Sequence, residues 1–217
     1  MKKELAGSVA LSLILATVAY GAPRTSVTDG TDGDKLITIR IHNYAQVESN
    51  VLLSAERTTD DILREAGVAA VWLECSAGSI PAEEPACETP MGPTDLMLNL
   101  LPRSMSERFH LRIDAFGVAL EDAERGLGSN AWIFCDLVKE AATQRQLTQS
   151  VLLGTVIAHE LGHLLLSTNS HSAFGLMRAN WSGKELSAVE HRAMYFSSSE
   201  SKRIQQAMMS RRKSRDR

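Results

Sequence analysis

The first half of the chain alternates apolar and polar residues in short runs that are typical of β-strands. Lys35–Tyr44 shows this alternation, and Val68–Glu74 is a second apolar run of strand length. Between them, Ser49–Ala66 carries apolar residues near helical spacing, and Gly67 provides a C-terminal cap. A strand, a helix and a second strand with short connections form a βαβ unit, so we expect the two strands to be parallel neighbours.

More strands are predicted in the middle of the chain. Asp95–Leu101 is a third apolar run, and Leu111–Leu120 and Asn130–Asp136 are two further candidates. The polar, glycine-bearing loop 121–129 separates the last two, which are predicted to form a hairpin or neighbouring edge strands. Leu137–Leu147 is predicted to be a helix.

The segment Ser150–Leu166 has apolar residues on every side of a predicted helix. A helix that is apolar all round is buried in the centre of a protein. Gly154 and Gly162 are poor helix formers, so we expect close packing against neighbouring elements to require them. The few polar side chains of this helix are costly to bury unless they are paired or bind a metal ion.

Those polar side chains belong to an H-E-x-x-H motif, His159-Glu160-Leu161-Gly162-His163. Histidines at positions i and i+4 lie on one face of a helix, so His159 and His163 can bind the same ion. Glu160 follows at about 100° around the helix axis, which places its carboxylate beside that ion as a base for bound water. We therefore predict a site for one catalytic zinc ion. The alternative is a hydrogen-bonded core cluster without metal.

The third zinc ligand is predicted to be His171, which lies eight residues after His163. Small polar residues between them let the chain turn back toward the ion. Three neutral imidazoles and one water make a catalytic zinc site with an open position. Glu185 and Glu190 are the alternatives, because some zinc sites take a glutamate from a second helix. The remaining histidines are interpreted as ordinary polar side chains: His42, His110 and His191.

The segment His159–Met177 resembles the metzincin class of zinc metallopeptidases, which has H-E-x-x-H-x-x-G-x-x-H followed by a methionine turn. The roles that the resemblance implies are zinc ligands His159, His163 and His171, general base Glu160, and turn methionine Met177 beneath the metal. The chain departs from the family because Leu166 stands at the glycine position and Asn169 at the third-histidine position. A longer connection explains this spacing: residues 167–170 form the bend, and Asn169 can adopt the left-handed conformation that glycine normally supplies.

The predicted fold class is α+β on the metzincin pattern. It has a twisted mixed sheet with an edge strand over the cleft, a central zinc-binding helix and a small helical C-terminal subdomain. The C-terminal helices are predicted at Lys184–Ala193 and Ser198–Met209, the second opened by a capping box of Ser197 and Glu200.

The implied function is a zinc-dependent endopeptidase acting on a peptide or protein substrate. Glu160 would take a proton from the attacking water and pass it to the leaving amine. The edge strand would hold an extended peptide by backbone hydrogen bonds. Trp181 and Tyr195 follow the motif but are interpreted as core residues. An exported zinc- or peptide-binding module without catalysis is the alternative function.

The start of the chain is typical of a secretion signal, with a basic beginning, an apolar run of about 16 residues and small residues before the cleavage site. That run is shorter than the ~20 residues that span a bilayer, so an uncleaved membrane anchor is the less favoured alternative and no stable membrane insertion is expected after cleavage. The protein is predicted to be secreted or periplasmic. The predicted organisation is signal peptide 1–21, linker 22–34, a single domain 35–210 with subdomains 35–166 and 167–210, and a solvated basic tail 211–217.

Composition agrees with one exported globular domain. The chain has 217 residues, and its formal net charge of -3 argues against a general nucleic-acid binder. Of its 3 cysteines, Cys75 and Cys87 bracket a loop that contains glycine and proline and are predicted to form a disulfide. Cys135 lies in an apolar run and is predicted to be a buried thiol.

Overall fold

The computed structural model describes residues 24–25, 35–75, 85–108, 115–122 and 127–215. The predicted signal peptide at 1–21 lies outside the described residues, as does the predicted linker at 22–34 apart from Arg24–Thr25. His110 and residues 111–114 of the predicted strand Leu111–Leu120 also lie outside them.

The described strands form one mixed β-sheet. Its described strands are β1 (Arg24–Thr25), β2 (Leu36–Asn43), β3 (Ala69–Glu74), β4 (Asp95–Leu101), β5 (Gly117–Asp122) and β6 (Leu127–Phe134). They are ordered β1-β3-β2-β4-β6-β5 across the sheet. The four inner strands are parallel, and the edge strands β1 and β5 are antiparallel to their neighbours. The predicted parallel pairing of β2 with β3 and the predicted edge strand β5 are therefore confirmed.

Helix α5 is at the centre of the fold. The described helices are α1 (Ser49–Glu65), α2 (Pro85–Glu88), α3 (Arg103–Arg108), α4 (Cys135–Arg145), α5 (Gln149–Leu166), α6 (Gly183–Glu190) and α7 (Ser198–Arg215). α5 packs against α1, α4, α6, α7, β5 and β6, and every residue from Val151 to Leu166 is buried, as predicted. Its length and apolar composition would also suit a membrane span, but 89% of it is buried inside the protein.

Gly154 allows α1 and α5 to approach closely, as predicted. A β-carbon at this position would lie 2.4 Å from the carbonyl oxygen of Ala55 and 2.7 Å from Cβ of Thr58. The hydroxyl of Thr59 lies 3.0 Å from the carbonyl oxygens of both Gly154 and Ala55 and donates to them. A buried side chain of α1 thus donates a hydrogen bond to the backbone of α5, the helix that carries the H-E-x-x-H motif and is called the motif helix below.

Gly154→Ala is expected to lower the free energy of unfolding by about 1–3 kcal/mol, because the new methyl group would overlap the backbone of α1. The better helix propensity of alanine offsets up to about 1 kcal/mol of this cost. Chemical denaturation measures the change. Gly183→Ala is the control, since a β-carbon there meets nothing within 4 Å. Equal stabilities of the two variants would contradict the tight contact between α1 and α5.

Two predicted boundaries in the hairpin are wrong. The predicted loop 121–129 is shorter, because the antiparallel ladder continues through Glu121 opposite Gly128 and Asp122 opposite Leu127. The predicted strand Asn130–Asp136 ends earlier, and its last two residues begin α4. Backbone pairing extends the strands into the polar loop, and the start of a helix shortens the apolar run.

The prediction of a solvated tail beginning at residue 211 is also wrong, because α7 continues to Arg215. Arg211 is buried, and its guanidinium donates to the carbonyl oxygens of Leu164 at 2.6 Å and Pro93 at 3.2 Å. Leu164 lies in the last turn of α5, where carbonyl groups have no partner within the helix. Arg211 therefore stabilises the C-terminal end of the motif helix. Similarly, Arg24–Thr25 of the predicted linker forms an edge strand.

The disulfide between Cys75 and Cys87 is present as predicted, with Cα atoms 5.6 Å apart. The nearby Arg40 is buried, pairs with Asp95 at 2.5 Å and donates to the carbonyl oxygen of Thr89 at 2.6 Å. Cys135 is a buried free thiol, also as predicted, and burial raises its pKa to about 12. Such a thiol is unreactive at neutral pH.

Candidate metal centre

The H-E-x-x-H motif lies in the buried C-terminal half of α5. His159, Glu160 and His163 are 8%, 6% and 6% exposed. The imidazole rings of His159 and His163 lie on one face of the helix, with centroids 4.8 Å apart. The helix thus holds two imidazoles beside each other and a carboxyl group next to them, as the spacing predicts.

Each helix histidine donates a hydrogen bond from Nδ1 to a backbone carbonyl. His159 donates to Leu176 and His163 to Thr168, both at 2.7 Å. A carbonyl oxygen only accepts hydrogen bonds, so Nδ1 carries the proton and Nε2 carries a lone pair. The segment after α5 therefore fixes the tautomers of both rings, as outer partners do for metal-binding histidines.

The two Nε2 atoms face each other at 3.1 Å. Two lone pairs at this distance repel unless a proton or a cation lies between them. Burial lowers the pKa of His159 to about 4, so a proton is not held at neutral pH. An imidazole binds a metal ion through a ring nitrogen that carries a lone pair, so this pair of Nε2 donors fits a divalent cation.

His171 completes a cluster of three imidazoles. Ring nitrogens of His159, His163 and His171 all lie within 4.8 Å of one another. The ring of His171 is exposed, and its centroid lies 5.5 Å from that of His159 and 4.8 Å from that of His163. Among the residues described, no further histidine, cysteine or carboxylate side chain belongs to this group.

The chain turns toward His171 directly after α5. Ser167 caps the helix in the left-handed conformation, with φ of 47°. Asn169, which was predicted to adopt that conformation, does not have positive φ. A left-handed residue often ends a helix at its cap, and because α5 ends at Leu166, Ser167 adopts this conformation.

Met177 packs directly on the motif helix. Met177 is buried, and a β-carbon at Gly162 would lie 2.6 Å from its sulfur atom and 2.6 Å from Cε1 of Phe196. Gly175 has φ of 78°, and the N–H of Arg178 donates to its carbonyl oxygen at 3.2 Å. A tight turn thus carries Met177 against the backbone beside His163, and the close packing predicted for Gly162 is confirmed.

Glu160 faces a cleft of about 920 Å³ between the edge strand and the histidine cluster. Its lining includes residues 115–120, in and just before β5, and the three histidines of the cluster. Gly117 lies against the carboxyl side chain, since a β-carbon there would be 2.8 Å from Cγ of Glu160. Sequence analysis missed this role of Gly117, although a glycine within a strand often marks a close approach.

Burial raises the pKa of Glu160 to about 8. In such surroundings a carboxyl group keeps its proton at neutral pH unless a positive charge lies nearby. A divalent cation bound by the adjacent imidazoles would supply that charge and favour the carboxylate. The histidine cluster and Glu160 are therefore chemically complementary.

The two alternative ligands make other contacts. Glu185 belongs to the capping box of α6, accepting from the hydroxyl of Ser182 at 2.6 Å, and pairs with Arg178. The hydrogen bonds from Ser182 lower the pKa of Glu185 to about 2. Glu190 accepts from the N–H and hydroxyl of Thr148 at 2.8 and 2.9 Å, at the start of α5. Neither carboxylate belongs to the histidine cluster.

Trp181 is partly buried and packs against the hydrophobic core, as predicted, whereas the prediction that Tyr195 is a core residue is wrong. The turn after Met177 brings the Trp181 ring onto His159, with centroids 5.7 Å apart and planes at 84°, and Trp181 lines the cleft. Tyr195 is 40% exposed, and its backbone carbonyl accepts from the N–H of Leu176 at 3.2 Å. Its main chain, not its ring, supports the turn.

The remaining described histidines lie outside the cluster. His42 stacks on Tyr44, with ring centroids 5.7 Å apart. His191 is exposed and donates from Nδ1 to the carbonyl oxygen of Ser187 at 2.7 Å. Both contacts agree with ordinary polar histidines, and His191 offers a control for substitutions in the cluster.

Comparisons with known proteins define the class of fold. No family model matches the chain, and no curated protein matches it. Its structure is similar to that of an archaemetzincin from Methanopyrus kandleri, with 14% identity, a TM-score of 0.50, and coverage of 81% of this chain and 97% of that one. It is also similar to a zinc-dependent peptidase from Methanocorpusculum labreanum, with 13% identity, a TM-score of 0.50, and coverage of 77% and 99%. The chain therefore has a mixed α/β fold like that of archaemetzincin-type zinc peptidases.

Proposed function

We propose that this protein is a zinc-dependent metallopeptidase with one catalytic ion, bound by His159, His163 and His171. The observation that carries the proposal is the convergence of three imidazoles within 4.8 Å beside a buried carboxyl group in an open cleft. Three histidines leave one coordination position open, as catalytic zinc sites require. The archaemetzincin-like fold supports the same assignment.

Zinc bound by these residues supplies Lewis acidity, which polarises the scissile carbonyl and makes water more acidic. Glu160 is the general base: its carboxylate accepts a proton from the attacking water and delivers it to the leaving amine. Gly117 leaves room for the Glu160 side chain. Nδ1 hydrogen bonds to Leu176 and Thr168 keep the two helix imidazoles in the tautomer that presents Nε2.

The substrate is a peptide or protein segment in extended conformation. Strand β5 pairs with β6 and is the last strand of the described sheet on that side, so its outer edge can accept backbone hydrogen bonds from a peptide. Trp181 and Arg178 line the same cleft near the histidines. The peptide would run between β5 and this wall, with its scissile bond next to Glu160.

We also propose that the protein works outside the cytoplasm. The basic and apolar start of the sequence supports export. The disulfide between Cys75 and Cys87 supports an oxidising compartment. Fusion of residues 1–21 to a reporter enzyme measures export directly; a reporter retained in the cytoplasm would contradict this part of the proposal.

Removing the metal with a chelator is expected to abolish cleavage of a broad peptide library, and one equivalent of Zn²⁺ is expected to restore it. Bound zinc also links α5 to the following turn, so its removal should lower the free energy of unfolding. A ligand at 1,000 times its dissociation constant stabilises the native state by about 4 kcal/mol. Peptide-library digestion measures the loss and the recovery of cleavage, metal analysis measures the zinc bound per chain, and thermal melting measures the change in stability.

Two outcomes would decide against this function. Cleavage that persists in a zinc-free, chelated protein would contradict zinc dependence. One bound zinc per chain without cleavage of any library peptide would favour the binding module in place of the peptidase.

A further inference from the structure

The loop that carries His171 is held in place by the contacts of the next residue, Ser172. His171 itself is exposed, whereas His159 and His163 are buried and oriented by hydrogen bonds to carbonyl groups. An exposed ligand on a loop can move away from the other two, so its position depends on what holds the backbone. Ser172 makes the contacts that do this.

Ser172 is anchored at two points. Its N–H donates to the carbonyl oxygen of Met177 at 2.8 Å, which closes the turn beneath the motif helix. Its hydroxyl donates to Oε1 of Glu200 in a short hydrogen bond. A hydroxyl bound to a carboxylate is a charge-assisted contact, stronger than a neutral one.

Glu200 is suited to hold this loop because both of its oxygens are used. It is 5% exposed and lies in the first turn of α7, where Oε2 accepts from the N–H of Ser197 at 2.7 Å. The hydroxyl of Ser197 accepts from the N–H of Glu200 at 3.3 Å, which completes the predicted capping box. The backbone N–H of Ser197 fixes the carboxylate, and the remaining oxygen reaches the His171 loop. The other capping box, at Ser182 and Glu185, sends its second oxygen to Arg178 instead.

We propose that Glu200 is a positioning residue for the third zinc ligand, and that it acts on His171 through the hydroxyl of Ser172. This inference rests on the proposed zinc site and extends it: the last helix of the fold sets how tightly the metal is held. Outer partners of metal ligands typically change metal affinity by about 10- to 100-fold when they are removed.

The test is zinc affinity, measured by competition with a chromophoric chelator on the folded full-length protein. Ser172→Ala, which removes only the hydroxyl, is expected to weaken zinc binding by about 10- to 100-fold. Ser172→Thr, which keeps a hydroxyl, should retain affinity within about threefold of wild type. Glu200→Ala should weaken binding as Ser172→Ala does, and the double variant should lose little more, because both changes break the same contact.

Ser197→Ala is the matched control. It removes a helix-cap contact and should lower the melting temperature while zinc affinity stays within about threefold of wild type. If Ser172→Ala binds zinc as tightly as wild type while His171→Ala does not, the inference is wrong and the zinc site stands. If wild type binds no zinc, the proposed function fails first. Circular dichroism confirms folding, and if Glu200→Ala does not fold, Ser172→Ala and Ser172→Thr still decide.

Discussion

Glu160→Gln is expected to lower the rate of peptide cleavage by roughly 10²- to 10⁴-fold, the usual contribution of a general base. Glutamine has nearly the same volume and fits beside Gly117, but it cannot accept a proton from water. Zinc affinity should remain close to that of wild type, because the three imidazoles are unchanged. The measurement is kcat on a library-derived peptide, together with the zinc content of both proteins.

Glu190→Gln is the control for this variant. Glu190 lies at the opposite end of the motif helix from the cluster, where it bonds Thr148. Its replacement should cost some stability and leave turnover unchanged. Cleavage by Glu160→Gln at the wild-type rate would show that another group accepts the proton, and the proposed mechanism would have to be abandoned.

His171→Ala is expected to weaken zinc binding by more than about 100-fold, a larger loss than the removal of an outer partner causes. Two imidazoles on one helix remain, and they supply too few protein ligands for a stable catalytic zinc site. The fold should persist, because His171 is exposed and lies on the loop after α5. Chelator competition measures the affinity, and circular dichroism checks the fold.

His191→Ala is the matched control, since His191 is also exposed and lies outside the cluster. Its zinc affinity should equal that of wild type. Undiminished zinc binding by His171→Ala would remove this residue from the ligand set. Glu185→Gln would then test whether the carboxylate of Glu185 takes its place.

The centre of the fold could be predicted from local sequence. A helix that is apolar all round, Ser150–Leu166, had to be buried, and its polar trio had to be explained by pairing or by metal. The helix was found at Gln149–Leu166 with all three side chains buried. The parallel pairing of β2 and β3 followed from chain connectivity alone.

Contacts between segments that are distant along the chain could not be predicted from the sequence. The charge pattern around Arg211 suggests a solvated tail, but carbonyl groups at the end of α5 need donors, and Arg211 provides one from 47 positions away. Likewise, Gly117 meets Glu160 only because β5 folds over the motif helix. Ser172 and Glu200 are 28 positions apart, and their contact had no local signal in the sequence. Only the capping box that orients Glu200 could be predicted locally.

The position of His171 could be predicted in part. His171 was predicted to join the cluster through a longer bend, and its ring does lie with the other two. The bend lies within the predicted residues 167–170, but the left-handed residue is Ser167 and not Asn169. The direction of the chain after a helix depends on where the helix stops, and apolar periodicity defines that end only approximately.

X-ray absorption at the zinc edge of the purified wild-type protein is the direct test of the three-histidine zinc site, because it reports the ligands of the ion. We predict one zinc per chain with three imidazole nitrogens and one light, non-protein oxygen donor. A protein with no bound zinc, or a zinc ion with a sulfur ligand or only two imidazoles, would contradict the three-histidine catalytic site.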